Sequence, residues 1–331
     1  MTEIKRAEIK KAVIENVRDF NTDHIFDCGQ CFRFEKEEDG SWTGTAFDRI
    51  INVRFEPYDK TGAGEAAVEN TGRVIIENAG QDEAEKIWRP YFDLSRDYGA
   101  IKRELALRDP VIEQAARHGY GIRILRQDPW ETVLSFIISQ NNNIPRIKKC
   151  IESVAVNFGR KIGEFRGRTF YSLPSAGTLA ELSESDLACC RLGYRAKYLV
   201  ETARMLAADG CQRLNSLASS DDAAPASNTD GQVSAASDGN ADEQAPASSE
   251  EAFEYVSGLC GVGPKVANCI MLFGLARYDR FPIDVWMRRV MSDLYGFDEN
   301  DMASMEDFAR KTYGRWGGIA QQYLFYYARS R

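Results

Sequence analysis

A glycine-rich turn in the last third of the chain is followed directly by a lysine that could serve as a nucleophile. The sequence LCGVGPKVA at 259–267 predicts a tight turn between two helices, the second of which begins at a proline. Gly261 and Gly263 would let the backbone approach another molecule closely, and the free N–H groups at the next helix N-terminus would suit a phosphate. By itself, this pattern is more typical of a plain helical hairpin.

Lys265 stands in the first turn of the helix that follows. The helix dipole disfavours a cation at this end, and the neighbours of Lys265 on the helix are apolar. Both effects should lower the pKa of Lys265 and leave more of the free amine that a nucleophilic lysine requires. A solvated lysine at a helix start is the alternative.

A carboxylate that could assist this lysine follows in the sequence Pro282-Ile283-Asp284. The rigid proline and the aspartate predict the start of another helix, with Asp284 as its N-cap. A carboxylate there could stabilise the positive charge that develops on a sugar ring while a glycosidic bond breaks. Asp284 could equally be a plain helix cap, and one residue can fill both roles.

Cys28 and Cys31 have the C-x-x-C spacing of redox motifs and of half a zinc site. The chain has eight cysteines in no regular framework and two histidines, His24 and His118, so a second pair of zinc ligands is missing. A chain of 331 residues needs no disulfides to fold, and reduced thiols are therefore expected. Ordinary packing is the favoured interpretation of this pair, with redox chemistry or metal binding as the alternative.

Length and composition predict an intracellular globular protein. The hydrophobic content of 44% is ordinary, and no apolar run is long enough to span a membrane. The first twenty residues alternate charged and apolar side chains and lack the hydrophobic core of a signal peptide. The expected location is the cytoplasm or nucleoid in a prokaryote and the nucleus in a eukaryote.

The net charge of −8 argues against a nucleic-acid partner only weakly, because the acids are concentrated in one segment. Residues 219–250 hold seven acids and no Lys or Arg, and without them the net charge is −1. The segment is rich in Ala, Ser, Asp and Gly, so it cannot bury enough apolar surface to offset its ordering entropy. We predict a disordered acidic insertion at 219–249.

The remaining chain predicts an α+β fold in which an antiparallel sheet precedes a mostly helical region. Residues 26–80 contain short aromatic or β-branched runs separated by Gly, Asp and Asn, namely FRF at 32–34, 42–47, IINVRFE at 50–56 and GRVIIEN at 72–78. From about residue 82 the pattern is helical, with start signals at 128–131 and at 248–251 and a stop at Gly159. The expected units are a sheet domain at 1–105, a helical domain at 106–218, and a hairpin region at 250–331 that completes it.

The hairpin motif at 259–267 together with PIDV at 282–285 resembles the signature of the helix-hairpin-helix DNA glycosylase superfamily. Further motifs are similar to those of its 8-oxoguanine DNA glycosylases: LRQDP at 125–129, NNNI at 141–144 with Arg146, LGYRA at 192–196, and AQ at 320–321 with LF at 324–325. No cysteine run for an iron–sulfur cluster follows the hairpin, which disfavours the branches that carry one. The resemblance spans nearly the whole chain except the acidic segment.

The resemblance implies a role for each matched position. Lys265 matches the Schiff-base nucleophile and Asp284 the catalytic carboxylate. The lesion pocket would be formed by Gly29, Cys269, Phe273, Trp286, Gln321 and Phe325. Seven residues would contact the DNA around the lesion. They would lie at the opposite cytosine, in the space that the flipped base leaves, and along the DNA backbone: Asn141, Asn142, Arg146, Tyr194, Arg195, Gly261 and Gly263. Many relatives carry His where this chain has Trp286 and Met where it has Phe273, so differences in phosphate contacts or in base fit are expected.

The function implied is that of a bifunctional glycosylase and abasic-site lyase that flips 8-oxoguanine, preferably opposite cytosine, out of duplex DNA. No cofactor and no metal are expected, the partner is damaged double-stranded DNA rather than a membrane, and the protein is expected to be a monomer. Two alternatives from other classes remain. A DNA-binding module would need the glycine turn but not Lys265 and Asp284, and a thiol oxidoreductase would depend on Cys28 and Cys31.

Overall fold

The α+β architecture expected from the sequence is present in the structure, a computed structural model that describes residues 10–58, 71–218 and 247–330. An antiparallel sheet formed near the N-terminus is followed by a mostly helical region. Nearly all of the acidic segment predicted at 219–249 lies outside the described residues, so its predicted disorder stays a prediction. The domain limits proposed at 105 and 218 likewise stay predictions.

The N-terminal sheet has five antiparallel strands in the spatial order β1-β5-β4-β3-β2. The strands are β1 Lys11–Arg18, β2 Phe34–Lys36, β3 Trp42–Ala46, β4 Arg49–Pro57 and β5 Thr71–Glu77. Three of the four predicted runs are confirmed with small shifts of their ends. The run at 32–34 is only partly right, because Phe32 and Arg33 lie in a bend and the strand begins at Phe34.

The edge strand β1 and a short helix after it were not predicted. A bulge in β1, where the pairing with β5 shifts between Ile14 and Val17, interrupts the alternation of buried and exposed residues. Asn16 lies within the bulge at φ +58°, and charged residues occupy the solvent side of the strand, so the period of two is hidden in the sequence. The buried residues of β1 nevertheless join the core of the sheet.

Most of the described chain after β5 is helical, and several of the helix ends were predicted from capping residues. The helices are α1 Thr22–Phe26, α2 Gln81–Glu83, α3 Arg89–Tyr91, α4 Tyr98–Ala106, α5 Pro110–His118, α6 Pro129–Ser139, α7 Ile144–Phe158, α8 Ala176–Ala180, α9 Arg195–Ala207, α10 Gln212–Ser216, α11 Ser249–Ser257, α12 Pro264–Phe273, α13 Val285–Tyr295, α14 Met302–Tyr313 and α15 Gly317–Arg329. A π-helical turn, Ala84–Trp88, joins α2 to α3, and 3₁₀ turns lie at Asp186–Cys190 and Gly314–Trp316.

Local capping chemistry explains where the helices near the predicted site begin and end. Asp128 accepts a hydrogen bond from the N–H of Glu131 at 2.8 Å at the start of α6. Ser248 and Glu251 form a complete capping box at the start of α11, and α7 ends at Gly159. These three predictions are confirmed.

Two hydrophobic cores organise the molecule. One lies under the sheet, where Trp88, Tyr91 and Phe92 from the helical turn after β5 pack against the strands. The other lies between the helices from α4 to α15. A hairpin of two strands, β6 Lys161–Phe165 and β7 Arg168–Tyr171, interrupts the helical region and was not predicted. Among the described residues, no helix is both long and apolar enough to cross a membrane.

Candidate active site

The predicted hairpin connects α11 to α12, and its two glycines are in different environments. Gly261 has φ +74°, and a Cβ at this position would overlap the ring of Tyr198 on α9, so only glycine fits. Gly263 caps α12 with an extended backbone, and apart from its own chain neighbours no described residue has an atom within 4 Å of the place where its Cβ would lie. Gly263 therefore leaves open surface at a helix N-terminus, where a phosphate could approach.

The two glycines should respond differently to the same substitution. We expect Gly261→Ala to lower the free energy of unfolding by about 2–4 kcal/mol, because of the left-handed backbone and the overlap with Tyr198. Gly263→Ala changes an N-cap and should lower the free energy of unfolding by at most about 1 kcal/mol. It should weaken binding to duplex DNA, because the added methyl group stands on the surface where a phosphate could approach. Denaturant unfolding and a DNA titration check both; equal losses of stability would contradict the distinction.

Lys265 lies half-buried in the first turn of α12, with its Nζ 5.7 Å from the centre of the Phe136 ring. The expected lowering of its pKa is wrong, because the pKa of Lys265 is raised above its ordinary value. The interaction with Cys269 is the largest cause and Asp284 contributes in the same direction, whereas burial opposes both. The sequence argument weighed burial and the helix dipole but had no partner for the ammonium group.

The state of Cys269 determines which partner acts on Lys265. Burial raises the pKa of the Cys269 thiol above its ordinary value, so this group is uncharged near neutral pH. Asp284 is then the negative group that faces the ammonium. A nucleophilic amine must be deprotonated, so in its predicted role Lys265 would have to pass a proton to an acceptor in the site before it could attack.

Asp284 is the N-cap of α13, as the sequence predicted. It accepts a hydrogen bond from the N–H of Met287 at 2.8 Å through one carboxylate oxygen. A carboxylate has acceptor capacity beyond a single bond, so the cap leaves Asp284 able to act on a second group. Pro282 precedes it and lines the same cavity as Lys265.

A cavity of about 50 Å³ brings most of the predicted lesion pocket together. Its walls are Cys28, Gly29, Phe136, Lys265, Cys269, Phe273, Pro282, Asp284, Gln321, Gln322 and Phe325. Such a volume holds a few water molecules, so a purine base could enter only if the walls move apart. Stacking of Phe136 on Phe273, with ring centres 5.4 Å apart and planes at 12°, closes part of this space.

Trp286 is the predicted pocket residue that the structure does not bring to the cavity wall. It lies in the first turn of α13 with 54% of its surface exposed, beside the exposed Val285, and its ring faces Arg289 at 5.8 Å. Four wall residues were in turn not predicted, namely Cys28, Phe136, Pro282 and Gln322. Phe136 could have been found as an aromatic ring on the helix that begins at Asp128.

Gly29 reaches the cavity from the sheet domain because buried glutamines fix its loop. Gly29 has φ +79°, and the place of a Cβ on it lies 3.6 Å from the ring of Phe325. Gln30 donates to the carbonyls of Ile25 and Arg123 at 2.9 and 2.8 Å. Gln127 donates to the carbonyl of Gln30 at 2.7 Å. These bonds join the loop to the segment before α6 and hold the Gly29 peptide against the cavity.

The predicted opposite-base residues meet at the loop between α6 and α7. Asn141 has φ +45°, a left-handed geometry that asparagine tolerates. Arg195, at the start of α9, is buried and donates to the carbonyls of Gln140 and Asn141, the latter at 2.8 Å. Arg146 donates to the carbonyl of Arg191 at 3.2 Å. Both guanidinium groups thus contact backbone oxygens and would have to exchange these partners to contact a base.

Two further predicted DNA contacts flank this loop. Asn142 donates to the carbonyl of Ile138 at 3.1 Å, which closes the last turn of α6. Tyr194 has 50% of its surface exposed, and its ring lies 4.5 Å from the guanidinium of Arg195 and 5.6 Å from the ring of Tyr198. Because Tyr198 also packs on Gly261, the loop between α6 and α7, named the opposite-base loop after its predicted role, is in continuous contact with the hairpin.

The thiols of the C-x-x-C pair are unsuited to redox chemistry. Cys28 and Cys31 are both buried and free. Burial raises the pKa of Cys28 to about 12 and the pKa of Cys31 well above its ordinary value, so neither forms the reactive thiolate at neutral pH. Within residues 10–58, 71–218 and 247–330, no group of three or more His, Cys, Asp or Glu could hold a metal ion.

Two family models together match most of the chain. Residues 12–133 match the N-terminal domain of 8-oxoguanine DNA glycosylase, and residues 134–313 match the HhH-GPD superfamily base excision DNA repair protein. A probable N-glycosylase/DNA lyase of Methanothermobacter thermautotrophicus is 32% identical over 245 residues, which are 67% of this chain and 68% of that protein.

Solved structures show the same similarity. MBOgg1 in complex with a low-affinity DNA ligand superimposes with a TM-score of 0.80 at 38% identity, covering 98% of this chain and 97% of that one. The 8-oxoguanine glycosylase/lyase of Clostridium acetobutylicum, in complex with double-stranded DNA containing cytosine opposite 8-oxoguanine, gives a TM-score of 0.79 at 36% identity, with 98% of each chain covered.

Proposed function

The chain belongs to the HhH-GPD superfamily of base excision DNA repair proteins as an N-glycosylase/DNA lyase of the 8-oxoguanine type, and we propose that Lys265 and Asp284 carry its chemistry. The observation that carries this proposal is the cavity in which the two residues meet Gly29, Cys269 and Phe325. An amine and a carboxylate at a cavity that admits the base once its walls move apart are the parts that removal of a flipped base requires.

The chemistry follows from an amine placed beside a carboxylate. The free amine of Lys265 attacks C1′ of the damaged nucleoside, the C1′–N9 bond breaks, and its electron pair leaves with the base. Asp284 stabilises the positive charge that develops on the sugar. The nitrogen now bonded to C1′ passes one proton to the departing base. The C1′–O4′ bond then breaks and O4′ takes up the second proton, which leaves an imine between Nζ and C1′ of the opened sugar. That imine acidifies the C2′ proton, so β-elimination of the 3′ phosphate nicks the strand.

Lesion recognition is assigned to the carbonyl of Gly29. Guanine N7 is a hydrogen-bond acceptor, whereas oxidation at C8 turns N7 into a donor. A buried carbonyl therefore accepts a bond from the lesion and repels undamaged guanine. Cys269 and Phe325 would contact the two faces of the base, and Gln321 its Watson–Crick edge. These roles rest on the family resemblance together with the position of each residue in the cavity wall.

The non-catalytic and redox alternatives have less support. A DNA-binding module has no use for a partly buried lysine beside a carboxylate in a cavity. A thiol oxidoreductase needs a thiolate, which the raised pKa of Cys28 and Cys31 disfavours. Damaged double-stranded DNA is the proposed partner. The monomeric state and the cellular compartment stay predictions.

Excision from duplexes that carry 8-oxoguanine opposite each of the four bases tests this function. We expect release opposite cytosine to be about ten- to a hundredfold faster than opposite adenine. Arg146 and Arg195 are donors only, and cytosine offers the acceptors O2 and N3, whereas the edge of adenine presents an amino donor. Arg195→Ala should reduce the ratio of the two excision rates. The variant loses one of the two donors, and the carbonyl of Asn141 loses its contact with the guanidinium.

A matched control lies on the same helix. Arg204 also donates to backbone carbonyls, those of Ala180 and Leu182, but away from the opposite-base loop. Arg204→Ala should leave the opposite-base preference unchanged. Equal excision opposite adenine and cytosine by the unmodified protein would show that the assignment of Arg146 and Arg195 is wrong.

A further inference from the structure

Gln322 stands in the cavity wall with a buried acceptor that has no partner. Gln322 is 3% exposed, and its neighbour Gln321 is 5% exposed. The Nε2 of Gln322 donates to Oε1 of Gln321 at 3.2 Å. Among the described residues, Oε1 of Gln322 has no hydrogen-bond donor. Both side chains line the cavity that holds Lys265 and Asp284.

An unpaired acceptor in this position needs a physical explanation. Burying a carbonyl oxygen without a donor is costly, and native structures keep few such groups, often at functional sites. Adjacent residues on a helix point in different directions, so Gln322 would not be expected to share a wall with Gln321. Their amide–amide bond holds the two side chains together and fixes the orientation of the Gln321 amide.

We propose that Gln321 and Gln322 recognise the Watson–Crick edge of the lesion as a pair, an inference that rests on the proposed function. The edge of a guanine-type base presents an acceptor at O6 and donors at N1–H and at the 2-amino group. The amide of Gln321 donates to O6 and accepts from N1–H. The unpaired Oε1 of Gln322 then accepts from the 2-amino group, so the pair offers a donor followed by two acceptors.

The pairing makes the 2-amino group a determinant of specificity. A purine that lacks this group, such as 8-oxohypoxanthine, leaves Oε1 of Gln322 buried and unpaired after binding. A site that hydrogen-bonds a substrate group rejects an analogue lacking it, because the buried partner is then left without its bond. The Gly29 carbonyl cannot make this distinction, since both bases carry the same N7–H donor.

The test compares excision of 8-oxoguanine and of 8-oxohypoxanthine, each placed opposite cytosine in the same duplex. The unmodified protein should prefer 8-oxoguanine by about tenfold or more. Gln322→Met keeps the length and burial of the side chain but removes its amide, so the preference should fall to about twofold or less. The matched control is Gln114→Met on α5, an exposed glutamine whose amide oxygen accepts from Tyr327 at 3.2 Å. It should alter neither rate nor preference.

The ratio of the two rates separates recognition from structural support. If Gln322→Met slows excision of both bases equally, the ratio of rates is unchanged, Gln322 only supports the fold, and the proposal fails. It also fails if the variant changes neither rate. If the unmodified protein releases neither base, this result contradicts the proposed function itself, whatever the Gln322 variant does.

Discussion

Replacing Asp284 by asparagine is expected to slow release of the base by about 10²- to 10³-fold while DNA affinity and folding stay nearly unchanged. The carboxylate acts on positive charge that is present only while the glycosidic bond breaks, so its loss raises the barrier rather than weakening the ground-state complex. Asparagine is also a good N-cap, so it can keep the bond from the N–H of Met287. Single-turnover excision, a DNA titration and thermal unfolding measure the three quantities.

The same substitution at another helix cap provides a control. Asp301 caps α14 by accepting from the N–H of Ser304 at 3.0 Å, and it does not line the cavity. Asp301→Asn should leave excision unchanged. A loss of DNA affinity at Asp284→Asn as large as the loss of rate would mean that Asp284 serves binding and not the chemical step.

The second large effect is expected at the nucleophile. Lys265→Gln should lower the rate of excision by about 10⁴-fold or more, since the covalent route is lost and no other amine lines the described cavity. Binding to damaged duplex should persist, because the hairpin and the opposite-base loop are unchanged. Lys197, which is exposed on α9, supplies the contrast: Lys197→Gln should weaken DNA affinity alone. Excision by Lys265→Gln within tenfold of the normal rate would contradict the assignment.

The helix starts of the site were predictable because their causes are local. Asp128 and Asp284 each accept a bond from an N–H three residues later, and this chemistry is visible in a few letters of sequence. The pair Gln321 and Phe325 could likewise be assigned to one wall, because residues four apart share a helix face. Each such prediction depends on one segment of chain.

Features that depend on distant segments were not accessible in the same way. Gly29 lies in the sheet domain, and only the family resemblance connected it with α12 and α15, which follow far along the chain. The pKa of Lys265 was predicted in the wrong direction because Cys269, one turn along α12, was counted only as an apolar neighbour, and because Asp284 approaches from another helix. Trp286 follows Asp284 closely in sequence, yet the rotation of α13 carries its ring to the surface.

Gln322 shows a third limit of sequence reasoning. In the sequence it is one polar residue beside another on a helix, with no spacing that marks it as part of a site. Only the packed structure shows that both glutamines are buried and bonded to each other. Phe136 was missed for a related reason. The sequence predicts the buried face of α6 from the spacing of Trp130, Val133, Leu134, Ile137 and Ile138, and Phe136 lies outside that stripe.

Borohydride trapping on duplex DNA with 8-oxoguanine opposite cytosine tests the central claim most directly. An amine nucleophile forms an imine with C1′, and its reduction fixes a covalent protein–DNA adduct, whereas a water nucleophile leaves only a free abasic site. The account predicts a trapped adduct with the unmodified protein and none with Lys265→Gln, although that variant still binds the duplex. Trapping of Lys265→Gln at the normal rate, or no trapping of the unmodified protein during excision, would contradict it.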